Sequence, residues 1–110
     1  MTTVTFHMEG DRIVGFDSHG HSGYAEAGSD IVCASITAVI TLVEATVNDV
    51  MGLAAAVKIS EKNAKISLRL PGGLAPTAEN TCPALMTGLM VYFAVLHGEF
   101  PDNIEVLEEE

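Results

Sequence analysis

Basic side chains are scarce in this chain. Its 110 residues hold five Lys and Arg against fifteen Asp and Glu, a formal net charge of −10. Phosphate contacts need basic groups, so nucleic acid is not expected as a partner. The acidity keeps a domain soluble and suits a basic partner or substrate. Cysteine is equally sparse. Two in a chain of this kind point to free thiols and not to a disulfide staple. No basic-then-apolar leader opens the chain; it starts Met1-Thr2-Thr3-Val4-Thr5-Phe6, which alternates. The longest charge-free apolar run, Ile31 to Val43, is too short for a bilayer, and Glu44, Asn48 and Asp49 interrupt the stretch beyond it. No membrane is expected as a partner, and a cytoplasmic location is.

The length fits one domain over residues 1–110, and a hydrophobic content of 48% supports a real core. Val4, Phe6 and Met8 alternate with Thr3, Thr5 and His7, the pattern of a half-buried strand. Glu9-Gly10-Asp11 is a turn, and Arg12 to Ser18 returns as a second strand. Asp30 to about Met51 forms a helix, with Ser29 or Asp30 as its N-cap and Gly52 near its end. A second hairpin pairs Val57–Glu61 with Lys65–Leu70 and ends at Pro71-Gly72-Gly73. A second helix runs to His97-Gly98. Its start has two readings: a Cys82 cap with Pro83 at the first helical position, or a start near Thr77 with Pro83 in the first turn. Ile104–Leu107 makes a last strand and Glu108-Glu109-Glu110 a solvated tail. The order ββαββαβ predicts an α+β, two-layer fold with both helices on one face of a mixed sheet.

The chemistry concentrates between Gly20 and Thr37. His21 and Cys33 lie twelve positions apart, and Cys33 falls in the first turn of the first helix. There the helix dipole and free N–H groups favour a negative sulfur, and an imidazole can take the thiol proton. Asp30 and Thr37 sit three before and four after Cys33, on the same helix face. Asp30 either caps the helix or orients His21. The loop between, with Ser22, Gly23, Tyr24, Gly28 and Ser29, is expected to be a mobile cover over substrate. It lacks the spacing of phosphate loops. A zinc site from His19, His21, Cys33 and Cys82 is a competing reading, although the spacing fits no common pattern. His19 and His21 point the same way if the strand continues through them. His7 and His97 are expected to be structural, and Cys82 a core or helix-start residue.

The run Gly20-His21-Ser22-Gly23-Tyr24, then Gly28-Ser29-Asp30-Ile31-Val32-Cys33-Ala34 and Thr37-Ala38, resembles the ribosomal-processing cysteine proteases of the Prp family. The similarity extends over the whole chain in length and element order. The resemblance implies a homodimer. It also implies an endopeptidase that removes the N-terminal extension of the bacterial large-subunit ribosomal protein bL27 during ribosome maturation. It places the nucleophile at Cys33, the dyad histidine at His21, a supporting aspartate at Asp30 and the preceding glycine at Gly20. No metal or organic cofactor is needed. Thr37 stands where the family usually has Ser, and Ser22 where Ala is common. A non-catalytic ribosome-assembly binding module is the other alternative.

Overall fold

The computed structural model of the chain describes residues 1–26 and 30–110. Five strands and two long helices alternate as β1 (Thr2–Glu9), β2 (Arg12–His19), α1 (Ile31–Glu44), β3 (Ala56–Ser60), β4 (Lys65–Arg69), α2 (Pro76–Glu99) and β5 (Ile104–Glu109). The strands form one mixed sheet in the order β3-β4-β2-β1-β5. All neighbours are antiparallel except β1 and β5, which run parallel. This is the two-layer α+β arrangement expected from the pattern of elements.

The register puts Val4, Phe6, Phe16, Leu68 and Ile104 on the inner face of the sheet, where they are buried. Both helices lie on that face. The buried positions of the first are Val32, Ile36, Ile40 and Val43, continued by Val47 in the next turn. Those of α2 are Ala78, Cys82, Met86, Leu89, Phe93 and Leu96. Steps of three and four keep each set on one stripe. The Phe6 ring joins the layers, 6.0 Å from Phe16 and 6.2 Å from Phe93 between centroids. Truncating it to Ala would cost about 3–5 kcal/mol. The outer face of the sheet is polar: His7 Nε2 lies 2.7 Å from Asp17 Oδ2, and Thr3 donates to Glu105.

Several boundaries differ from the expectation. The first helix does not continue as α-helix to Met51. From Ala45 to Val50 it widens into a π-helical turn, closed by Met51 N–H donating to Thr46 O at 2.9 Å. Asn48 then exchanges two hydrogen bonds with the Ala55 backbone and holds the exit loop. The combined helix spans 20 residues, so it and α2 are both long and apolar enough by composition to cross a membrane. In this fold each gives one stripe to the core instead. The second helix starts at Pro76, in line with the reading of a start near Thr77, but Pro83 lies past the first turn, well inside, where its missing N–H interrupts the helix ladder. Glu108 and Glu109 are not a tail: they extend β5, opposite Phe6 and His7 of β1. Parallel pairing, invisible in the local sequence, sets that end.

Candidate active site

The site is built where the sheet meets the start of α1. Asp30 is the N-cap: its Oδ1 accepts the Cys33 N–H at 2.9 Å. A carboxylate here satisfies a helix-start donor and complements the dipole. Ser29, the other cap considered, and Gly28 lie outside the described residues. The second Asp30 oxygen accepts the Ser22 hydroxyl. Burial pushes the Asp30 carboxyl up, but the bonds from Ser22 and Cys33 outweigh it, and the group is held below its ordinary value of 3.8. Asp30 therefore caps the helix and ties it to Ser22. Its side chain accepts from Ser22 and Cys33, and among the described residues no hydrogen bond joins it to His21, the other group it was expected to orient.

Ser22 joins these groups. Its N–H donates to Cys33 Sγ at 3.3 Å, its Oγ also accepts the Tyr24 N–H at 3.2 Å, and its carbonyl accepts from Asn103 Nδ2 at 3.0 Å. Only 1% of Ser22 is exposed. At the start of the loop expected to cover substrate, Ser22 lies beneath the site and takes part in four hydrogen bonds. Gly23 and Tyr24 are exposed, and the Tyr24 ring meets Phe100 edge-on at 5.3 Å.

Gly20 bends the chain out of β2. It has φ +89°, so the strand stops at His19, and the alternation that would align His19 with His21 is broken. A Cβ at Gly20 would lie 2.7 Å from the Met1 carbonyl oxygen. This turn carries His21 into the open, where it lines both of the pockets that flank Cys33. One pocket, about 290 Å³, runs between α1 and the β3–β4 hairpin, with Ile36, Ile59 and Ile66 as apolar walls and Lys65 and Glu61 at its edge. The other, about 750 Å³, is bordered by Gly23, Ala25, Asp30, Ala34 and Ala38. Cys33 and Thr37 line both, one helical turn apart.

The thiol is thus half-exposed at a helix N-terminus, faces an amide donor, and shares two pockets with an imidazole. Such an arrangement can hold a thiolate and pass its proton. Cys82 is elsewhere: it is 1% exposed, in the core stripe of α2, and its thiol is pushed up by burial and, less, by Glu79, with Arg12 acting the other way. Among the described residues no group of three or more His, Cys, Asp or Glu side chains is placed to hold a metal ion. His7 and His97 make the structural contacts expected, with Asp17 and the Ile104 carbonyl.

Residues 1–105 match the family described as Cysteine protease Prp. The chain belongs to that family. Among the Prp relatives is the ribosomal processing cysteine protease Prp of Bacillus subtilis, 29% identical over 107 residues and covering 96% of each chain. The fold matches the Staphylococcus aureus ribosomal processing protease Prp in complex with a covalently linked product peptide, with a TM-score of 0.86 at 18% identity over 99% of this chain and 100% of that one. The same S. aureus protease with a substrate peptide matches at a TM-score of 0.81 and 17% identity, over 99% and 100% of the two chains. The protein is accordingly a cysteine protease. Asn103 and Thr2, which hold the loop at Ser22 and Gly20, carry no local sequence signal. Asn103 lies 81 residues from Ser22, and the β1–β5 pairing brings the two ends of the chain together.

Proposed function

We propose that this protein removes the N-terminal extension of bL27, with Cys33 as nucleophile and His21 as general base. The observation that carries the assignment is the position of Cys33: a half-exposed thiol in the first turn of α1, opening on pockets that His21 also lines. In this reading His21 takes the thiol proton and Sγ bonds to the scissile carbonyl carbon. The carbonyl π electrons move to oxygen, where N–H groups at the start of α1 can donate to the oxyanion. The intermediate collapses, the C–N bond breaks, and His21 returns the proton to the leaving amine. Water then attacks the thioester, giving up a proton to His21. The carboxylate product leaves and the thiol is restored. Gly20 sets the turn before His21, Thr37 offers a hydroxyl beside the thiol, and Ser22, Gly23 and Tyr24 border the substrate.

The net charge of −10 suits a basic ribosomal protein as substrate. We place the reaction in the cytoplasm, where ribosomes assemble, and the working species as a homodimer. The outer side of α2, with exposed Val91, Tyr92 and Val95, supports a second copy there. Light scattering at micromolar concentration reports the mass; a clean monomer refutes the dimer. The deciding experiment incubates the protein with bL27 precursor from its own host and reads the product mass. Cleavage at the extension, lost in Cys33→Ala and His21→Ala, is the expected result. Full activity in Cys33→Ala would overturn the assignment.

A further inference from the structure

His21 itself is exposed, and yet the backbone on both sides of it is anchored. On one side the Gly20 carbonyl accepts the Thr2 hydroxyl at 3.0 Å, while Gly20 N–H donates to Ala64 O at 3.0 Å. On the other side the Ser22 carbonyl accepts Asn103 Nδ2 at 3.0 Å. The two anchors are one unit, because Thr2 N–H donates to Asn103 O at 3.0 Å. Thr2 opens β1 and Asn103 immediately precedes β5, so the corner where the parallel strands begin grips the segment Gly20–Ser22 from below. Thr2 is 2% exposed, which keeps its hydroxyl bond out of competition with water. Phe100, three residues before Asn103, adds the edge contact to Tyr24.

We propose that Asn103 and Thr2 are positioning residues for the proteolytic reaction: together they set the peptide units around His21 and Ser22, and so the approach of the imidazole and of the Ser22 N–H to Cys33. The inference rests on the Cys33–His21 reading of the site. Neither residue touches the thiol, so each acts through the loop. The Ser22 N–H reaches Sγ at 3.3 Å, a close contact for sulfur whose direction is set by the peptide units around it. A misplacement of about 1 Å at a reacting group can cost on the order of 100-fold in rate.

The test uses the whole protein and two readouts: kcat and KM on the bL27 precursor, and the rate of Cys33 alkylation by iodoacetamide from pH 5 to 9. Asn103→Ala and Thr2→Val, the latter nearly isosteric, should each lower kcat about tenfold or more with KM within about twofold, and displace the alkylation pH profile. Thr2→Ser, which keeps the hydroxyl, should restore both. If Asn103→Ala does not fold, Thr2→Val and Thr2→Ser decide. Wild-type kcat and an unmoved alkylation profile in the folded variants, with only a lower melting temperature, would reduce the corner to scaffolding and overturn the inference. Cleavage surviving in Cys33→Ala would instead show that the dyad reading had failed.

Discussion

Replacing Ser22 by alanine isolates one interaction at the centre of the site. The side chain is buried, and its hydroxyl donates to Asp30 while accepting from Tyr24 N–H. Tyr24 is exposed, so its freed N–H turns to water at little cost. Asp30 keeps the Cys33 N–H at 2.9 Å, so the helix cap survives, but one carboxylate oxygen loses its donor. A hydrogen bond to a charged group contributes about 1.5–3 kcal/mol, and we expect a loss near the middle, ~2 kcal/mol. In a domain of this size that lowers Tm by roughly 8 °C. The loss should also depend on pH. Asp30 sits below its ordinary value of 3.8, so its contribution is fully present above that value and fades as pH falls through the lower folded-state value. The variant lacks a donor that lowers this carboxyl, so the gap between the two proteins should be widest near neutrality and narrow below about pH 4. Melts followed by circular dichroism from pH 7 to pH 3 measure both. A gap under about 2 °C at pH 7, or one that stays constant with pH, would refute this account of Ser22 and Asp30.

The same geometry sets three other outcomes. Brief iodoacetamide treatment at neutral pH should label Cys33 well ahead of Cys82, because Cys82 is 1% exposed and burial raises its thiol; peptide mass mapping showing equal labelling would contradict the placement of the two thiols. Asp30→Asn should keep the helix cap, since both residues cap well, yet lose about 1 kcal/mol and flatten the acid side of the stability profile; a profile matching the wild type would mean that another carboxylate governs it. Gly20→Ala combines a positive φ with a Cβ 2.7 Å from Met1 O, so it should destabilise by about 2 kcal/mol or more in urea titration, with cleavage falling as His21 is displaced. An unchanged midpoint would show that the Gly20 turn is easily re-formed.

Local patterns carried most of the architecture. Alternation at Val4, Phe6 and Met8 and the three-to-four spacing of Val32, Ile36, Ile40 and Val43 report which face is buried, because side-chain period is set by backbone geometry alone. Asp30 as a cap and Cys33 in the first turn were legible for the same reason: capping is an interaction over three residues. Helix starts were harder. A Cys82 cap before Pro83 and a start near Thr77 were both open; the helix begins at Pro76 and runs through Pro83 with Ala78 and Cys82 buried on its core side. The end of β5 was not legible, since Glu108 and Glu109 have the composition of a tail and become strand only by pairing with β1. The burial of Ser22 and the grip of Thr2 and Asn103 were beyond any window of sequence. Those contacts join residues 18 and 81 positions apart, and they exist because a parallel pairing places the beginning of the chain beside its last strand, under the loop that carries His21.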